Sequence, residues 1–261
     1  DLASGRALYS TAVPTQWHAS LPPVLAGQRV LVDGGYGNGV ASLDAATGAL
    51  QWQVGARGYT WWSAAWDGSS LYTYGSGAFA AHRPDTGEAS FRVEDSALAN
   101  GFGAGPRRPL FAVADGRAFV VDNGNLVVFS TRDGAVQWRQ DTRNFVGGTA
   151  VQGSTVIALQ QAPLRVEARH VADGRLLWST QPLFDVTQGY DQAFVSEPLL
   201  TDNLVFISTE RGVYALSRED GRARWYYGKP GTLALSARGV LLIANPGLPG
   251  LGHGVTAINL Q

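Results

Sequence analysis

At 261 residues, 45% of them hydrophobic and 16% charged, the chain has the size of one large all-β domain or two ordinary ones. A formal net charge of −1 removes the electrostatic basis for nucleic-acid binding, and no apolar run reaches the ~20 residues of a membrane-crossing helix. Cysteine is absent, which excludes disulfides, thiolate nucleophiles and cysteine-ligated metals, and 33 glycines favour short strands and tight turns over helices.

Along the chain the same sequence of elements recurs. A Ser4-Gly5 turn leads into Arg6–Ser10, predicted as a fourth strand, and then into a loop over 11–20 that carries Trp17 and His18. The turn Ala26-Gly27-Gln28 and an apolar strand follow, then the Gly-rich connection over 34–39. That connection has the look of a phosphate loop without its lysine or its helix, and is read as a strand connection. The segment Ala41-Ser42-Leu43-Asp44-Ala45-Ala46-Thr47-Gly48-Ala49-Leu50-Gln51-Trp52 ends this stretch as the clearest copy of a motif.

A loop over 55–62 with Trp61 and Trp62 opens the next stretch, which turns at Asp67-Gly68-Ser69 and reaches a second motif at Gly87 and Phe91. The loop over 93–109 contains Arg107 and Arg108; the turn Asp115-Gly116-Arg117, the strand Phe119-Val120-Val121 and the pair Gly134 and Trp138 come after it. Arg143 and Phe145 lie in the loop over 141–148, before the turn Gln152-Gly153-Ser154 and the pair Gly174 and Trp178. The loop over 181–195 precedes Thr201-Asp202-Asn203, the apolar run Leu204-Val205-Phe206-Ile207 and the pair Gly221 and Trp225. Last come the loop over 227–232 with Lys229, the turn Ala237-Arg238-Gly239, and a third strand over 255–259.

The motif glycines, Gly5, Gly48, Gly87, Gly134, Gly174 and Gly221, are spaced by 43, 39, 47, 40 and 47 residues, the size of one propeller blade. Ser, Thr or Asp precedes each, and four residues after each stands Tyr9, Trp52, Phe91, Trp138, Trp178 or Trp225. Glycine gives a tight strand-to-strand turn its positive φ, the preceding side chain bonds the turn backbone, and the aromatic wedges between neighbouring blades. Continuous apolar strands between the motifs suit burial on both faces.

These elements predict a single all-β domain over 1–261: a six-bladed β-propeller with four antiparallel strands per blade. Aligning Asn259 with Asp44 places a seventh glycine at notional position 263, a spacing of 42. The N-terminal strand is then expected to complete the last blade and close the ring. The absence of methionine, at position 1 included, is read as the mark of a processed or excised segment.

The pattern Ala-x-Asp-x-x-Thr-Gly-x-x-x-Trp of Ala41–Trp52 resembles the repeat of pyrroloquinoline-quinone-type propellers. That resemblance spans the chain. It implies three kinds of activity: quinone-dependent dehydrogenases, lipoprotein scaffolds of outer-membrane assembly, and sensor domains of bacterial receptor Ser/Thr kinases. Against a dehydrogenase stand the missing cysteine pair, the near-minimal blades, and His82 and His170 at turn positions of the motif.

At the channel-mouth face the loops bring flat rings and cations together. Trp17, His18, Trp61, Trp62, Arg107, Arg108, Arg143, Phe145 and Lys229 are the candidate ligand-binding residues. Guanidinium groups grip carboxylates while rings stack on a planar face, so a small anionic ligand is expected, with pyrroloquinoline quinone as its candidate and no metal. The leading expectation is a non-catalytic sensor domain of a receptor kinase, extracytoplasmic and tethered through an upstream segment. The alternative is a scaffold that binds a protein partner, similar to the outer-membrane assembly lipoprotein. A quinone-dependent dehydrogenase comes third.

Overall fold

A computed structural model describes residues 4–13, 23–33, 39–55, 63–75, 77–98, 111–182, 193–246 and 253–260. Among them are 23 strands and no helix, arranged as six antiparallel sheets in chain order. The first holds β1 (Val24–Ala26), β2 (Arg29–Asp33), β3 (Val40–Asp44) and β4 (Leu50–Val54), and the second β5 (Ser63–Trp66), β6 (Leu71–Gly75), β7 (Ala78–His82) and β8 (Ala89–Glu94). The third is β9 (Phe111–Ala114), β10 (Arg117–Asp122), β11 (Asn125–Ser130) and β12 (Val136–Gln140). The fourth is β13 (Phe145–Gln152), β14 (Thr155–Gln160), β15 (Arg165–His170) and β16 (Leu176–Thr180). The fifth is β17 (Leu199–Leu200), β18 (Leu204–Ser208), β19 (Val213–Ser217) and β20 (Ala223–Tyr227). The sixth has three strands, β21 (Thr232–Leu235), β22 (Val240–Pro246) and β23 (His253–Asn259). Arg6–Ser10, expected as a strand, belongs to no ladder.

Two compact units divide the chain, 1–123 with 128–136, and 124–127 with 137–261. In the first, β1, β5 and β9 lie side by side, and β6 and β7 are buried along their whole length. Phe79 is fully buried there, stacked on Phe129 at 5.2 Å and on Tyr72 at 5.9 Å. In the second, β13, β17 and β21 lie side by side. Val166 and Ala168 pack with Val205, Ile207, Tyr214 and Leu216, while Phe206 and Val213 pack with Leu241 and Ile243. A strand with neighbours on both faces has no polar side, which is why the second and third strands read as unbroken apolar runs.

The motif turns are one structure repeated. At Gly48 the glycine N–H donates to the Asp44 carbonyl at 2.8 Å and the Asp44 N–H to that of Ala49 at 2.9 Å. Asp44 Oδ1 accepts from Ala46 N–H, Thr47 N–H and Thr47 Oγ1, and the Thr47 hydroxyl and backbone N–H hold its carboxyl below the usual range. The backbone pair recurs at Gly87, Gly134, Gly174 and Gly221. All six motif glycines have φ between 67° and 75°, the left-handed region that side chains disfavour.

Five of the six motif aromatics lie on the glycine of the following repeat. Tyr9 covers Gly48, Trp52 covers Gly87, Phe91 covers Gly134, Trp138 covers Gly174, and Trp178 covers Gly221. Of these five, the four with a polar hydrogen also donate to the carbonyl three residues before that glycine. The bonds are Tyr9 Oη to Ala45 at 3.1 Å, Trp52 Nε1 to Pro84 at 2.8 Å, Trp138 to Val171 at 2.9 Å and Trp178 to Arg218 at 2.8 Å. The expected wedge is therefore also a hydrogen bond, made to a backbone group the turn would otherwise leave open.

Candidate functional site

Six of the nine expected ligand-binding residues, Trp17, His18, Trp61, Trp62, Arg107 and Arg108, lie outside the described residues. Arg143, Phe145 and Lys229 are described, all in the second unit. Arg143 is exposed with φ at 59°, and its N–H donates to Asn125 Oδ1 at 3.3 Å. Lys229 is exposed on the turn closed by its N–H to the Tyr227 carbonyl at 2.8 Å. Both cations are open to a carboxylate ligand.

Phe145 is different. It starts β13 with its N–H on the Gly124 carbonyl at 3.0 Å, and its ring is 2% exposed. The Arg169 guanidinium stands 5.9 Å from the ring centroid. Arg169 is itself buried, with Nε donating to Glu167 Oε2 at 2.8 Å and Nη1 to the Gly174 carbonyl at 2.7 Å. An enclosed ring offers no face to a planar ligand.

Glu197 was not among the candidates. Its carboxylate sits on the backbone of Gly147 and Gly148 and accepts the Gly148 N–H. Glu210 Oε2 accepts from the Ala193 N–H at 2.7 Å, beside the bridge of Phe194 to Thr209. No local sequence signal marks these two glutamates, because their partners are backbone groups far along the chain. They bring negative charge to the same strand ends as Arg143 and Lys229.

At the opposite strand ends of this unit lies an open cleft of about 810 Å³ between β16 and the turns before β18 and β20. Leu177, Trp178 and Leu204 give it apolar walls, and Asp202, Arg218, Glu219 and Arg224 line it with both signs of charge. Arg218 Nη1 donates to Gln152 Oε1 at 3.0 Å, and Nη2 to the Gln152 carbonyl. Gln152 Nε2 in turn donates to Asp202 Oδ1 at 2.9 Å. The wall is thus preorganised, while Leu177 is 40% exposed and Arg224 is exposed. No sequence signal marks this cleft, because the turns around it are short and alike from repeat to repeat.

His82 and His170 hold turns, as expected. His82 is buried, with Nδ1 donating to the Gly87 carbonyl at 2.9 Å and Nε2 accepting from Thr73 Oγ1 at 2.8 Å, and burial pushes its pKa down. His170 Nδ1 lies 3.2 Å from Asp173 Oδ1. Among the described residues no group of His, Asp and Glu could hold a metal ion.

Residues 1–90, 37–189 and 75–227 match the family described as outer membrane protein assembly factor BamB. Among solved structures, BamB from Moraxella catarrhalis is similar at 17% identity and a TM-score of 0.65, over 86% of this chain and 69% of that one. The computationally designed Ika8 protein is similar at 12% identity and 0.69, over 95% and 73%. A europium-containing methanol dehydrogenase is similar at 12% and 0.68, over 92% of this chain and 63% of the enzyme. At these identities the likeness is one of fold. Comparison with curated proteins finds no match. The repeated turn-and-aromatic structure and the overlapping matches together make the chain a member of the pyrroloquinoline-quinone-like repeat β-propeller family described as outer membrane protein assembly factor BamB.

Proposed function

We propose that this chain is a non-catalytic propeller that binds a partner protein outside the cytoplasm. Family membership supports the class, and the cleft beside β16 is the observation that carries the reading. Its preorganised polar lining, apolar walls and exposed Leu177 and Arg224 suit a polypeptide surface better than a small molecule. The six repeats, each an antiparallel sheet of three or four strands among the described residues, are read as six blades. Photo-crosslinking from position 177 in the native cell, with position 92 on β8 as control, tests the cleft. A discrete adduct to an envelope protein from 177 alone is expected; equal labelling from both positions would overturn it. Calcium-dependent dye reduction with alcohols or sugars would overturn the non-catalytic assignment.

A second reading keeps the kinase sensor and pyrroloquinoline quinone, supported by the exposed Arg143 and Lys229. The two cations fit a polycarboxylate. Titration with the quinone checks it: saturable binding that weakens in Arg143→Ala with Lys229→Ala is expected, and no saturable signal would end it.

A further inference from the structure

Three residues that depart from the repeat meet in the cleft beside β16. In four sheets the fourth strand carries one extra residue between the motif glycine and its aromatic, a bulge that sets two residues against one of the third strand. The bulged residue is Gln51, Ser90, Leu177 or Arg224. The apolar one and the charged one, Leu177 and Arg224, both line the cleft. Three residues before the motif glycine stand Ala45, Pro84, Thr131, Val171 and Arg218, and the charged member lines it as well. Scattered along the sequence, the three come together only in the fold.

The apolar part of the cleft is held still. The Trp178 ring lies on Gly221 with Nε1 on the Arg218 carbonyl, and the Arg218 side chain is spent on Gln152. Beside it Leu177 is open to solvent. β16 is the outermost strand of its sheet, and the bulge interrupts the edge that another strand would extend, so recognition falls to side chains. The charges at the rim are available for that. Among the described residues neither the Arg224 guanidinium nor the Glu219 carboxylate makes a hydrogen bond or an ion pair, and both are exposed. Asp220, between them in sequence, pairs with Arg222 at 3.5 Å. Arg218 and Arg224 balance Asp202 and Glu219, so the lining favours neither a polyanion nor a polycation.

Resting on the partner-binding reading above, we infer that the cleft takes one extended segment of the partner protein. An apolar side chain of that segment seats against Leu177, Trp178 and Leu204, with a carboxylate on one flank for Arg224 and a cation on the other for Glu219. An apolar centre inside a charged rim is the anatomy of a protein interface. Opposite charges on the two flanks also fix the direction in which the segment lies, because exchanging them sets like charges together.

Fluorescence polarisation of the whole chain with two labelled nonapeptides tests this. Both carry two leucines in a glycine-serine frame; one has aspartate before the leucines and lysine after, the other the reverse. One is expected to bind saturably and the other about tenfold more weakly, an order that Arg224→Glu with Glu219→Arg reverses. Leu177→Ser, at an exposed position, is expected to weaken the preferred peptide about tenfold at an unchanged urea midpoint. Gln51→Glu, at the same bulge in the first sheet, is expected to change neither affinity. Equal binding of the two peptides, no saturable binding, a preference that survives the charge exchange, or an effect of Gln51→Glu would overturn the inference. So would a dimer that Leu177→Ser abolishes, since a second copy would then fill the cleft. If the peptides are not discriminated while position 177 still gives its discrete adduct in the cell, the partner reading stands and the two-charge segment fails; discrimination without an adduct does the reverse.

Discussion

The indole of Trp178 lies so close to Gly221 that a Cβ there would stand 2.5 Å from Cε3, while Nε1 donates to the Arg218 carbonyl at 2.8 Å. One ring therefore forbids a side chain at the glycine and satisfies the turn that the glycine makes. Gly221→Ala meets two penalties: about 1–2 kcal/mol for a left-handed alanine and about 1–3 kcal/mol for forcing the ring away. Trp178→Phe removes only the bond, about 1 kcal/mol, and narrows the platform. Urea unfolding should rank Gly221→Ala as the more damaging. Equal midpoints would mean that the ring yields freely.

Phe91 covers Gly134 but has no hydrogen to donate to the Thr131 carbonyl, the equivalent of the acceptors used by Trp52, Trp138 and Trp178. Phe91→Trp supplies the missing donor. The variant is expected to be more stable by about 1 kcal/mol, the net value of one such bond. A lowered thermal midpoint would show that the Gly134 site is shaped for a phenyl ring.

The architecture was legible because its signal is local and repeated: glycine, polar neighbour and aromatic lie within six residues of each other and each does a steric job in the turn. The order of sheets and the strand-ending turns follow from it. What could not be read was which backbone the aromatic meets, since that partner lies 32 to 40 residues on at Pro84, Val171 and Arg218. The site was harder still. Phe145 has the composition of a ligand platform, but a guanidinium two strands away encloses it, and the pairing that brings Arg169 there is set by register rather than by motif. Arg6–Ser10 matches the fourth-strand pattern, while strand pairing depends on a partner edge that pattern alone does not supply.

His82 links pH to stability. Folded, it is neutral, with both ring nitrogens engaged by Gly87 and Thr73, and burial lowers its pKa below 6.5. Unfolded, it titrates near the ordinary value. Below about pH 6.5 the unfolded chain then binds the extra proton, so its contribution is full above that pH and is lost as pH falls toward the folded pKa. Stability should drop between pH 7.5 and 5.5, and His82→Gln should flatten that drop. The carboxylates with lowered pKa, such as Asp44 and Asp133, act only in more acidic solution, so the two ranges separate. An unchanged slope in His82→Gln would assign the effect elsewhere.

Glu167 and Arg169 form an ion pair with side chains 8% and 10% exposed, on the same face of β15. Removing one partner strands the other charge in the interior, at a cost of about 3–5 kcal/mol, whereas replacing both with apolar side chains removes the desolvation as well as the attraction. Arg169 also serves the Gly174 carbonyl and the Phe145 ring, so its loss alone carries those contacts with it. Glu167→Leu should therefore destabilise more than Glu167→Leu with Arg169→Met, a reversal that simple addition of effects forbids. The measurement is chemical denaturation of Glu167→Leu, Arg169→Met and the double variant. If the double variant is the least stable, the guanidinium matters through its bonds to Gly174 and Phe145 rather than as the partner of a buried charge.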